Sequence, residues 1–257
     1  MVDDLETELS LPGGRHVGGV RVGETVRRRT GPWTPAVHGL LGYLERAGFD
    51  GAPRVLGFDE KNREVLGWLP GDTVGETRPW PAWALSDDAL VQVATWLRGL
   101  HDVTAEYVPP DDAVWLSGRG WRPGLVFGHH DASPWNAVWD DAGGRLVGFV
   151  DWDTAGPSAR ELDLAFTALT WVPLLTPAAV RGCGHGDVRD RPRRLRLLLD
   201  AYGHDGDPAA FALVVAARAR LGAEIIHRLG IDALAPMAAG YEQSAREIDA
   251  AEPSFWA

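Results

Sequence analysis

The chain has one cysteine, Cys183, and no run close to the ~20 apolar residues that a membrane span requires. It is also short of positive charge: 25 Lys and Arg against 36 Asp and Glu leave a formal net charge of −11. A lone cysteine cannot build an internal disulfide framework, so a reducing compartment is the simplest setting. An acidic chain lacks the basic face of a nucleic-acid binder but suits a cationic small molecule. The opening MVDDLETELS has neither the basic nor the apolar region of a signal peptide. These absences predict a cytoplasmic protein with no nucleic-acid and no membrane partner. What is present is ordinary for a globular protein: 257 residues, 45% hydrophobic and 24% charged, enough for one large or two small domains.

The chemistry concentrates in VFGHHDASPWNAVWDDAGGRLVGFVDWD, from Val126 to Asp153. Leu125–Phe127 reads as a strand end, followed by a polar loop. Ala137–Trp139 and Leu146–Val150 read as two short strands around a glycine-bearing turn, Asp140–Gly144. Such a hairpin brings Asn136 at the mouth of one strand close to Asp151 at the exit of the other, with Asp131 just upstream. Phosphoryl transfer needs this set of oxygens: a carboxylate to orient or deprotonate the attacking hydroxyl, and hard ligands for magnesium. Asp131 fits the base; Asn136 and Asp151 fit the metal ligands. The competing readings are an acidic surface hairpin with capping Asp and Asn residues, and a zinc site using His129–His130 or Cys183–His185. Neither histidine cluster has a second ligand pair at zinc spacing.

The pattern His129-x-Asp131-x4-Asn136, followed by Val150-Asp151-Trp152-Asp153, resembles the aminoglycoside phosphotransferase family of small-molecule kinases, in the protein-kinase-like superfamily. His130 stands where that family has Gly. The resemblance implies a bilobal α+β fold. A small N-lobe of antiparallel sheet plus one helix would span residues 1–68, and a larger, mostly helical C-lobe residues 69–257. It also implies transfer of a phosphoryl group from ATP or GTP, with Mg2+, to a hydroxyl of a small molecule. In that scheme His129 braces the catalytic loop, and Asp163 buttresses it by hydrogen bonding. His101, in a Leu-x-x-Leu-His helix end, is structural.

Upstream, Pro12–Gly14 and Gly18–Gly19 interrupt strand-like pieces that the resemblance would lay over phosphates. The strand from Glu24 to Arg29 sits where the family carries a phosphate-binding cation, usually Lys. Only arginines are available; Arg27 and Arg28 both remain open, with the resemblance favouring Arg27. Alternation puts Val26 and Arg28 on one face, as expected if Val26 caps the base. Backbone around Leu66–Leu69, with Leu66 and Trp68, would meet that base. Thr34-Pro35 opens a helix whose apolar face is Val37, Leu40, Leu41 and Leu44. Kinase relatives place a Glu there to pair with the strand cation; His38 occupies the position and reads as an ordinary packing or surface histidine. Without that Glu, a nucleotide-binding pseudokinase acting as a regulatory module is the alternative function.

Later segments read as helices from Ser86 to His101, 159–171, 176–203, 207–229 and 231–250. Arg191, Arg193, Arg194 and Arg196 read as a solvated helix face. Asp153, Glu161, Glu224, Asp232, Glu242 and Glu247 are candidate carboxylates near an acceptor cleft.

Overall fold

The computed structural model describes residues 7–11, 18–75, 78–140 and 144–256. The Pro12–Gly14 turn expected over phosphates, and most of the Asp140–Gly144 turn, lie outside those residues.

The N-lobe is a five-stranded antiparallel sheet, β1 (Leu9–Ser10), β2 (Val20–Val22), β3 (Thr25–Arg28), β4 (Val55–Phe58) and β5 (Glu64–Gly67), in the order β1-β2-β3-β5-β4. Helix α1 (Thr34–Arg46) packs on it. Pro35 sits in its first turn, where a missing N–H costs nothing, and Val37, Leu40, Leu41 and Leu44 are buried. The β3–β5 register sets Val26 opposite Leu66 and Arg28 opposite Glu64. Facing partners share a side of the sheet, so one face carries an apolar pair and then a charged pair in line.

The C-lobe begins with α2 (Asp87–Thr104). Its start is fixed by Ser86, whose hydroxyl accepts the Ala89 amide at 3.0 Å, and by Asp87 and Asp88 in the first turn. Three strands follow, β6 (Val126–Gly128), β7 (Ala137–Trp139) and β8 (Leu146–Phe149), and then β9 (Gly156–Ser158). The hairpin forms as β7–β8, but β6 pairs with β9 instead of extending it. Gly156-Pro157-Ser158 is a strand because Val126, Phe127 and Gly128 offer it a partner.

Helices complete the lobe: α3 (Arg160–Trp171), α4 (Pro177–Cys183), α5 (Arg191–Tyr202), α6 (Pro208–Leu229), α7 (Ala235–Ala250) and α8 (Pro253–Trp256). The single helix expected over 176–203 is two. Gly184, at φ +91, closes α4 with a left-handed residue, and Pro192 opens α5. Likewise 231–250 begins with a short 3-10 turn before Pro236 starts α7. The arginine cluster is only half a solvated face: Arg193 and Arg196 are exposed, while Arg191 and Arg194 turn inward. Arg194 is buried and donates to the carbonyls of Leu85 and Trp171, Arg193 makes two contacts to Asp87, and Arg191 holds the carbonyls of Pro173 and Leu175. Arg193 and Arg194 pin α5 to the start of α2, and Arg191 and Arg194 pin it to the end of α3.

One close approach ties the lobes together, and a second ties the connecting segment to β7. The Phe149 amide donates to the Gly51 carbonyl, and a Cβ on Gly148 would lie 2.2 Å from that oxygen. Asp72 and Trp139 exchange amide–carbonyl bonds of 2.8 Å, with Gly71 pressed against the Trp139 carbonyl. Gly148→Ala should therefore lower unfolding free energy by about 1–3 kcal/mol, the usual cost of overpacking. Gly182→Ala, inside α4 with open space at its Cβ, should be neutral or stabilising. Urea unfolding of the two variants checks the contrast; equal midpoints would show that the Gly51–Gly148 contact yields freely.

Candidate active site

The catalytic loop leaves β6 at Gly128, where a Cβ would lie 2.5 Å from the Asp163 carboxyl carbon. Glycine is needed because Asp163 fills that space. Asp163 is buried on α3, and its carboxylate accepts the His129 amide at 3.0 Å, the His130 amide at 2.7 Å and His101 Nε2 at 3.0 Å. Burial alone would raise its pKa; the hydrogen bond from His101 and the neighbouring histidines hold it far below the ordinary carboxylate range instead. His101 is itself buried and fixed on its other side by the Tyr202 hydroxyl at 2.7 Å.

His130 adopts φ +63, a left-handed conformation that disfavours any residue with a Cβ. The strain is offset by the amide bond to Asp163. His129 is fully buried. Its Nε2 lies 3.1 Å from the Val150 carbonyl, and its Nδ1 lies 3.3 Å from the Asp131 amide. A carbonyl only accepts, so Nε2 carries the proton and Nδ1 accepts from Asp131. Burial pushes this imidazole down to about 4, against the pull of Asp163, so it is neutral at pH 7.

Asp131 stands at the loop's tip, with Ser133 Oγ donating to its carboxylate at 2.9 Å. Burial first, and then the charge of Asp151, push its carboxyl up to about 7. Asn136 is buried, and its Nδ2 donates to the Asp131 backbone carbonyl at 3.0 Å. That bond fixes the amide so that Oδ1 is the atom left for a cation. Across the hairpin, the Val150 amide donates to the Asn136 carbonyl at 2.9 Å, which places Asp151 beside it. Asp151 is left-handed, at φ +64. Its carboxylate Oδ1 already attracts a cation, Nη1 of Arg28, at 2.9 Å. One carboxylate and one amide oxygen form a hard-oxygen donor set, which fits magnesium and not zinc.

Arg28 reaches this group from the other lobe. Besides Asp151, it donates through Nη2 to Asp153 and through Nε to Glu64 at 3.0 Å. Burial lowers its pKa, but Asp153, Asp151 and Glu64 more than reverse that, so it is permanently charged. Arginine therefore fills the cation's place, and of the two candidates it is Arg28 that faces the site; the pleat turns Arg27, opposite Val65, to the other side of the sheet.

The model of the phosphotransferase enzyme family, APH, matches residues 113–198, which hold the whole loop and hairpin. The trifolitoxin immunity protein of Rhizobium leguminosarum bv. trifolii is 38% identical over 204 residues, covering 77% of this chain and 75% of that protein. This chain belongs to the APH phosphotransferase family. Solved structures give the same fold. The GDP complex of aminoglycoside 2'-phosphotransferase-IIIa is 14% identical with a TM-score of 0.59, covering 95% of this chain and 93% of that one. Macrolide 2'-phosphotransferase MphH from Brachybacterium faecium is 20% identical with a TM-score of 0.57, covering 97% and 94%. A choline/ethanolamine kinase family protein from Mesorhizobium loti is 16% identical with a TM-score of 0.56, covering 98% and 91%. The architecture is the bilobal, kinase-like one.

Within this APH-family site, Asp131, Asn136 and Asp151 converge as their spacing predicts, with His129 beneath them and Arg28 opposite. Val26 and Leu66 face each other on the sheet side that carries Arg28, while the Gly67 and Trp68 amides already donate to Arg54 and Glu24. Those two amides are therefore occupied, and the Trp68 ring lies under the Arg21 guanidinium at 4.2 Å. Two features depart from the sequence reading. His38 is not an idle packing residue: its Nε2 lies 2.8 Å from Glu64, a side chain that strand alternation hides among ordinary β5 residues. Most of the carboxylates offered for an acceptor cleft already have partners. Asp153 is bound to Arg28, Glu161 pairs with His204, Glu242 with His227, and Glu247 with Gln243, while Glu224 and Asp232 are exposed.

The buried neutral His129 makes stability pH-dependent with a definite sign. Its folded pKa, about 4, lies below its ordinary 6.5, so the folded protein binds fewer protons than the unfolded chain between those values. The stability that His129 contributes should fall as pH drops from about 6.5 to about 4 and then level off; Asp131, raised to about 7, acts in the opposite sense over much of that range, so the comparison of parent and variant isolates the histidine. His185, also held down to about 4 by burial and then Arg194, adds in the same window. Urea midpoints measured across that range should show a shallower acid slope in His129→Asn than in the parent protein; parallel slopes would contradict the assignment of a buried neutral ring.

Proposed function

We propose that the protein transfers the γ-phosphoryl group of ATP or GTP, with magnesium, to a hydroxyl of a small molecule. The observation that carries this reading is the meeting of Asp131, Asn136 and Asp151 on one loop and hairpin, with the Arg28 guanidinium aimed at them from the opposite lobe. Asn136 Oδ1 and the Asp151 carboxylate would hold the ion, which when bound neutralises phosphate charge and links the phosphates to the C-lobe. Val26 and Leu66 present an apolar surface suited to a base. Further along the same sheet face, Arg28 offers two terminal nitrogens to phosphate oxygens. Asp131 orients the acceptor hydroxyl and takes its proton as the new O–P bond forms and the bond to the β-phosphate oxygen breaks. His129 acts through the Asp131 amide and touches no reacting atom.

For the acceptor, the relative named as an immunity protein supports a toxic or antibiotic small molecule, neutralised by phosphorylation. A cationic acceptor draws no support from the C-lobe carboxylates, which are engaged or exposed elsewhere. A panel of hydroxylated metabolites and antibiotics screened for nucleoside diphosphate release identifies the class. A chain that binds magnesium nucleotide yet never releases diphosphate would favour the regulatory pseudokinase.

With an acceptor in hand, Asp131→Asn should keep nucleotide affinity and lose turnover by ~10²-fold or more, as removal of a positioned acid–base group does. Near-parental turnover in that variant would remove Asp131 from the role. For the metal, calorimetric titration of ATP with and without magnesium should show the magnesium-dependent gain abolished in Asp151→Ala and only weakened in Asn136→Ala. The carboxylate supplies charge that the amide lacks; the reverse order would reject the ligand assignment.

A further inference from the structure

Resting on the nucleotide-dependent reading above, we propose that Glu64 is the positioning residue for the phosphate-binding Arg28. The anchoring carboxylate has moved from helix α1 to strand β5, and His38 of α1 serves as its tether.

The geometry begins with register. Arg28 on β3 and Glu64 on β5 are direct cross-strand partners, so their side chains leave the same face at neighbouring points. Glu64 is 3% exposed, and its two oxygens are divided between two partners. Oε1 accepts Arg28 Nε at 3.0 Å, and Oε2 faces His38 Nε2 at 2.8 Å. A buried carboxylate without partners is strongly disfavoured. Burial pushes this one up, and the His38 hydrogen bond together with the Arg28 charge brings it back below its ordinary value. It is an anion because both partners are present.

What matters for Arg28 is which nitrogen is held. A guanidinium carries one N–H on Nε and four on its terminal nitrogens. Glu64 takes only the Nε–H. Both terminal nitrogens are thereby directed toward the C-lobe, where Nη1 meets Asp151 and Nη2 meets Asp153. These two carboxylates belong to the opposite lobe, whereas Glu64 belongs to the sheet that bears Arg28. Glu64 is thus the contact that holds its direction when phosphate oxygens compete for the terminal nitrogens. A lysine could not be anchored and presented in this way, because its single ammonium has no separate anchoring nitrogen.

His38 joins the device to helix α1. A carboxylate only accepts, so Nε2 donates, and the imidazole packs against Phe58 with ring centroids 5.2 Å apart. The carboxylate on β5 and its donor on α1 thus tie the sheet, the helix and Arg28 into one unit.

The full-length protein tests this by equilibrium titration with magnesium ATP and magnesium GTP, alongside competition by the phosphate-free nucleosides. Glu64→Gln keeps the shape and removes the charge; triphosphate affinity should fall ~10-fold or more, the scale of one hydrogen bond to a charged group, while nucleoside affinity stays within about twofold. His38→Glu combined with Glu64→Gln returns a carboxylate to the helix and should recover most of the loss. Should Glu64→Gln fail to fold, Glu64→Asp, which withdraws the charge by one methylene, is read in the same way. Parental triphosphate affinity in a folded Glu64 variant overturns the proposal, as does an equal loss for nucleoside and triphosphate, which would mark a purely structural role. A parental protein that binds no magnesium nucleotide overturns the phosphotransferase reading and this one with it.

Discussion

One buried carboxylate organises the catalytic centre. Asp163 accepts two consecutive backbone amides and a histidine, and the left-handed turn at His130 exists because those amides converge on it. An unpaired carboxylate in the same place would be among the most destabilising features a core can hold. Paired threefold, it fixes the entry to the loop, and the loop fixes Asp131 through His129. Asp131 is therefore oriented by a chain of contacts that starts on a helix behind the site and runs through main-chain amides and a buried ring. Rigidity of this kind is what an acid–base group needs if its reach toward a substrate hydroxyl is to be reproducible.

The second constraint acts across the cleft. Arg28 is shared by three acids, one from its own sheet and two from the opposite lobe. Lys61, the chain's single lysine, pairs instead with Glu8 at 3.1 Å. The cation that meets the hairpin is an arginine, and its planar fork determines how many partners it can serve at once.

Much of this was legible in the sequence, and the parts that were not share a physical cause. Asp131, Asn136 and Asp151 could be read because their spacing is local: one loop and one hairpin bring them together whatever the rest of the chain does. Helix α1 was equally legible, since Pro35 and the apolar series from Val37 to Leu44 leave it no other face to bury. Glu64 was not, because its importance depends on the pairing of β3 with β5, and a strand carries no mark of which residue will stand opposite which. The same holds for β9, whose three residues become a strand only against β6. The partners of the C-lobe carboxylates were hidden for a related reason: their abundance was visible, but the histidines and the arginine that meet Asp153, Glu161 and Glu242 come from distant parts of the chain. The arginines of α5 look like a charged surface in one dimension and act as a clamp in three, since backbone carbonyls of Leu85 and Trp171, invisible as motifs, receive Arg194.

The junction between the lobes is built as a splice. Asp72 adds itself to the edge of β7 by a reciprocal pair of hydrogen bonds to Trp139, and Gly71 lies so close to the Trp139 carbonyl that a methyl group would not fit. Three residues before Trp139 on the same run of chain is Asn136. The chain leaving the N-lobe sheet is thereby moored to β7 only three residues from Asn136, so the strap between the lobes and the hairpin share one fixed stretch of backbone.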